Sequence, residues 1–213
     1  MKKFELTQNK KNWEGRTLYQ IKACTSFTTN SGIEINEGEL GGWIEKEENL
    51  SQRGKAWIWG DTKIYDAAKI YGNAEIWGEA QICGKAEVFG NAQIYGNTIT
   101  GGNVEVFGNA QIYGNAEISG YAKVCDNAQI CSDAKIGGDA FISSPDNILT
   151  VTPLGRYRVS LTAFKTKENL IKISYNWDIY TLEKFQSFMS GWTEEEVKIA
   201  KAIIEVAKVA IKF

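Results

Sequence analysis

IYGNAEIWGEAQ, residues 70–81, is two copies of one six-residue unit set end to end: an aliphatic residue, an aromatic, glycine, a polar residue, alanine, a polar residue. Stepping by six from Ile58 gives Ile58, Ile64, Ile70, Ile76, Ile82, Val88, Ile94, Thr100, Val106, Ile112, Ile118, Val124, Ile130, Ile136 and Ile142. Fourteen of these fifteen positions are Ile or Val, with no insertion. A second column of small residues follows four places later (Ala68, Ala74, Ala80, Ala86, Ala92 and then every sixth residue from Ala110 to Ala140), and a glycine column follows two places later. A period of six fits neither a helix nor an ordinary sheet and marks stacked repeats.

Three hexads make one 18-residue triangular coil, so fifteen hexads predict five coils stacked about 4.8 Å apart. Parallel strands in register bury like side chains on like, which sends the Ile/Val column inward. The Ala column takes the crowded corners. Glycine followed by asparagine, as in Gly72-Asn73, Gly90-Asn91, Gly108-Asn109 and Gly114-Asn115, supplies corner turns where φ becomes positive.

The predicted fold is therefore mainly β, with three parts. Residues 1–53 form an N-terminal cap, with a strand over Thr17–Phe27, because a solenoid end exposes unpaired backbone that something must cover. Residues 54–144 are the solenoid. Residues 145–213 are a small α+β domain of three strands (Asn147–Thr152, Arg156–Phe164 and Leu170–Tyr175) and two helices. The second helix opens with a Thr193/Glu196 capping box and carries Val197, Ala200, Ile204, Ala207 and Ile211 at helical spacing.

The hexads resemble those of hexapeptide-repeat proteins, whose shared fold is a left-handed parallel β-helix. That family's usual pattern puts glycine directly after the aliphatic residue. This chain puts an aromatic there and glycine one place later, a spacing comparable to the glycine-rich repeats of bactofilin-like polymer-forming proteins, which build a right-handed helix. The left-handed form is the favoured expectation. With LYQIKA at 18–23, LGGWIEKEENLS at 40–51 and its runs of YGNA, the whole chain also resembles uncharacterised repeat proteins common in tailed phages and prophages, a likeness that brings no established activity.

Hexapeptide-repeat folds host acyltransferases that use a histidine base and carbonic anhydrases that hold zinc with three histidines. This chain has no histidine, which removes the commonest general base at neutral pH. Cys24, Cys83, Cys125 and Cys131 show no metal-ligand spacing and read as reduced, half-buried fillers. No phosphate-binding GxxxxGK[ST] loop is present. The sequence thus predicts a protein that is not an enzyme and needs no cofactor or metal. A net charge of −2 argues against general nucleic-acid binding. The opening MKKFEL has no apolar run, so neither a secretory signal nor a membrane span is expected, and a cytoplasmic location is (the host cytoplasm, if phage encoded).

Function is then expected on the outward rungs, which a period of 18 sorts into three ladders. The first is Trp59, Trp77, Tyr95, Tyr113 and Cys131, flanked by Trp57, Glu75, Gln93, Gln111 and Gln129. The second is Tyr65, Cys83, Gly101, Ser119 and Gly137. The third is Tyr71, Phe89, Phe107, Cys125 and Ser143. An apolar stripe of this length calls for a cover. Stacked like residues stabilise parallel strands whatever the function, and flat faces also pack against copies of themselves, so a homo-oligomer is expected. The binding expectation names Trp59, Trp77, Tyr95, Tyr113, Gln93 and Gln111 as a partner face for a host protein or a nucleotide-like small molecule, with counter-defence, by blocking an immune protein or sequestering a nucleotide signal, as the form suggested by the phage resemblance. Arg156 and Arg158 are the anion-binding candidates. At Thr100 the column fails; a local bulge with Ile99 partly buried is expected, or else a groove at Thr100, Gly101 and Gly102. A self-assembling structural solenoid and an atypical acyltransferase are the alternatives.

Overall fold

The computed structural model describes residues 2–154 and 159–213. The hexads form a parallel β-solenoid whose two-residue strands stack into three sheets. Face one holds the strands from Trp57–Ile58 to Gln129–Ile130, face two those from Lys63–Ile64 to Lys135–Ile136, and face three those from Lys69–Ile70 to Phe141–Ile142. Partners lie 18 residues apart, as in Gln93↔Gln111 and Ile94↔Ile112. The aliphatic column and its alanines are buried in one continuous core.

The ladder also continues upstream of Gly54. Ile44 pairs in parallel with Ile64, and Leu50 bridges in parallel to Ile70, each two residues further along the chain than the 18-residue repeat. These rungs bring the solenoid to about six turns. Two extra residues between Leu50 and Ile58 break the six-residue count and hide this coil from the periodicity.

Both ends are closed. A hairpin of Phe4–Trp13 and Arg16–Ala23 adds antiparallel strands to the first rung of face two, turning through Glu14 (φ 48°) and Gly15 (φ 79°), a pair of positive φ values that suits the strand twist. The second strand matches the expected one, but the first, FELTQNKKNW, carries too little apolar alternation to announce itself. Phe4, Ile21, Ala23 and Ile35 are buried in the solenoid core at that end. At the other end Phe164 is fully buried in the same core.

The C-terminal unit has four antiparallel strands, Ile148–Leu154, Val159–Lys165, Ile171–Tyr175 and Asp178–Thr181, one more than expected. The fourth pairs back through Asn176 (φ 48°) and Trp177 (φ 77°), a left-handed turn in which Asn tolerates positive φ but Trp stands where glycine is usual, which weakens the turn signal. Helices α1 (Leu182–Phe188) and α2 (Glu194–Ala210) follow. The α2 capping box forms as expected, with the Thr193 hydroxyl accepting from the Glu196 N–H at 3.2 Å and the Glu196 carboxylate from the Thr193 N–H at 3.0 Å. Ala200, Ile204, Ala207 and Ile211 are buried against the sheet. No helix among the described residues is long and apolar enough to cross a membrane.

Candidate binding face

On face one the four expected aromatics form a broken stack. Trp59 and Trp77 lie 5.0 Å apart at 8°, and Tyr95 and Tyr113 lie 5.1 Å apart at 4°. Between these pairs Trp77 meets Tyr95 edge-on, at 6.2 Å and 80°. Within each pair, each ring turns one face to its neighbour on the next coil. Gln111 Nε2 donates to Gln93 Oε1 at 3.2 Å beside the tyrosines.

The N-terminal end of this face is covered. The short hairpin of Phe27–Thr28 and Glu34–Ile35 reaches over it, placing Phe27 edge-on to the buried Trp57 at 5.6 Å. Ser31 donates to the Glu75 carboxylate from its N–H at 2.8 Å and from its hydroxyl at 2.5 Å. Trp59 packs against the solenoid core. The open part of the face therefore runs from Gln93 and Tyr95 to Gln129, with Tyr95 36% exposed. Phe27 and Ser31, the residues that set this limit, lie outside the repeat, and no spacing in the sequence signals them.

Face two keeps its register at the broken hexad. Thr100 pairs with Ile82 and Ile118, and Ile99 with Gln81 and Glu117. The expected bulge is absent: Thr100 is fully buried in the core position and Ile99 is 37% exposed. Backbone bonds from Cys83 N–H to Thr100 O, Ile99 N–H to Ala116 O and Gly101 N–H to Ile118 O hold the strand in place, and a slip would break all of them. Threonine has the shape of valine and fits the column, leaving its Oγ1 buried without a partner among the described residues. Gly101 is buried beside Cys83, whose Sγ would stand 3.0 Å from a Cβ placed there, while Gly102 is an exposed corner residue at φ 77°. With Gly101 tucked beside Cys83, these residues continue the regular coil.

Face three stacks Tyr71 on Phe89 at 4.8 Å and Phe89 on Phe107 at 5.0 Å. Its charges are internally paired, with Lys123 donating to Glu105 at 2.7 Å and the Tyr71 hydroxyl to Glu87 at 2.8 Å. Burial, with help from Glu87, pushes the Tyr71 phenol up to about 12.

Burial likewise raises the thiols of Cys24 and Cys83, and it pushes Cys125, beside Asp126, up to about 11, which suppresses the reactive thiolate. Among the described residues no group of three His, Cys, Asp or Glu side chains is placed to hold a metal ion. Arg156 and Arg158 lie outside the described residues. The chain matches no protein-family model, and no curated protein matches it.

Proposed function

We propose that this chain is a non-enzymatic protein-binding module whose contact surface is the open part of face one, around Tyr95, Tyr113, Gln93 and Gln111. The observation that carries this reading is the ordered pair of stacked tyrosines beside a hydrogen-bonded pair of glutamines, fixed on adjacent coils of a rigid scaffold. Tyrosine offers large contact area with little side-chain entropy to lose, and side chains already held in place lose less on binding. Amides on the rim then supply hydrogen bonds that select a partner.

A protein fits this surface better than a nucleotide. Base stacking requires free ring faces, whereas each of these rings has one face against a neighbour, and neither row of face one contains Lys or Arg to meet a phosphate. The phage resemblance extends the reading to a host protein as the partner, with inhibition of an immune protein as the outcome. End-to-end self-assembly is disfavoured because Phe4 and Phe164 fill the two ends of the core.

Capture from host-cell lysate with wild-type protein and with a Tyr95→Ala/Gln111→Ala variant tests the proposal. A protein retained by the first and lost by the second supports it; equal retention, or no protein retained by either, contradicts it.

A further inference from the structure

We propose that the cavity between the N-terminal cap and the first solenoid corner, lined by Lys2, Lys3, Thr25, Phe27, Thr28 and Lys55, is a binding site for a phosphate group. The cavity is about 490 Å³, roomy enough for a free phosphate or a small phosphate monoester. It lies apart from the open tyrosines of face one.

The decisive side chain is Lys3. It is only 7% exposed, and among the described residues its ammonium donates a hydrogen bond to one acceptor, the carbonyl oxygen of Ala56 at 2.8 Å, with the Phe27 ring 5.9 Å away. An ammonium has three protons to donate. No carboxylate lies within ion-pair distance of Lys3 among the described residues, although the half-buried cap lysines Lys11 and Lys22 each have one, as does the buried Lys63 of the solenoid. Lys63, 3% exposed by side chain, is held by Asp61, and Lys11 reaches the same aspartate. Burying a cation without an anion is strongly unfavourable. Consistent with this, desolvation alone pulls the Lys3 ammonium down to about 8.

The lining supplies what an oxyanion needs. Lys2 and Lys55 add two more positive charges at the rim, Lys2 being ion-paired with Glu47. Thr25 and Thr28 also line the cavity and carry hydroxyl groups able to donate. Three ammonium groups with neighbouring hydroxyls suit the charge and the several acceptor oxygens of a phosphate better than a singly charged carboxylate, and lysine serves phosphate as a point charge. Phe27, whose ring lies under the Lys3 ammonium at 5.9 Å, gives one wall an aromatic surface that a base or sugar carried on the phosphate would meet.

Isothermal titration of the full chain with sodium phosphate, against sodium chloride at equal ionic strength, tests the site. Saturable binding of phosphate and none of chloride is expected, with affinity at least tenfold weaker in Lys3→Met. Should that variant fail to fold, Lys55→Gln, altered only at the exposed rim, is expected to bind at least threefold more weakly. Absence of saturable phosphate binding to the wild type overturns the proposal, as does unchanged affinity in the folded variants. Adenosine monophosphate provides the second arm: tighter binding than inorganic phosphate assigns the site to a nucleotide that uses Phe27, and equal binding assigns it to the phosphate group alone.

Discussion

Gln111 donates a hydrogen bond from Nε2 to the Oε1 of Gln93, one coil away, at 3.2 Å. The bond links two half-buried side chains whose backbones are already fixed by the ladder, so little entropy is lost in making it. Replacing Gln111 by Ala is expected to lower stability by about 1 kcal/mol, the net value of one such bond. Chemical denaturation of wild type and variant measures it; no change would mean the bond does not persist in solution.

Thr100 occupies a core position between Ile82 and Ile118 with its hydroxyl unpaired. Thr100→Val keeps the shape and removes the buried polar atom. It is expected to stabilise the fold by about 1–2 kcal/mol, read as a higher denaturation midpoint. A lower midpoint would show that the hydroxyl has a partner.

Phe164 closes the C-terminal end of the core. Phe164→Ala is expected to cost about 3–5 kcal/mol by opening a cavity and to loosen the cover over the last coil, whose strand edges can then pair with another molecule. Thermal melting and light scattering over a concentration series report the two effects. A variant with unaltered melting would show that the last coil closes without this ring.

The solenoid was legible because one constraint, a buried column repeated every 18 residues, acts on every coil alike. Its first turn escaped because two residues inserted after Leu50 shift the count while leaving the pairing of Ile44 with Ile64 intact. The long strand Phe4–Trp13 escaped because its backbone pairs along an edge and needs no apolar face. At Thr100 the composition pointed to a slip, yet the neighbouring ladder outweighs one unpaired hydroxyl. The aromatic ladders could be written down from spacing, but which part of them stays open could not, since Phe27 and Ser31 arrive from a non-repetitive segment.

Lys3 also sets a pH dependence. Its ammonium is drawn down to about 8 in the folded state from an ordinary value of 10.5. Between those values the unfolded chain holds a proton that the folded chain has released, so this residue's contribution to stability rises as pH increases from about 8 to 10.5. Below that window the penalty of a buried charge is present in full. Lys2 and Lys55, on the same cavity, are cations too and add no counter-charge. Stability curves of wild type and Lys3→Met should converge or cross as pH rises through this window, the wild type gaining relative to the variant. A constant difference would place the Lys3 ammonium in solvent.

The partner face is tested most directly by the dissociation constant of the captured partner for two single variants, Tyr95→Ala on face one and Phe107→Ala on face three. The expected result is at least thirtyfold weaker binding for Tyr95→Ala, equivalent to about 2 kcal/mol at a contact centre, with Phe107→Ala within threefold of wild type. Unchanged binding by Tyr95→Ala, or a larger loss from Phe107→Ala, would contradict the assignment of face one.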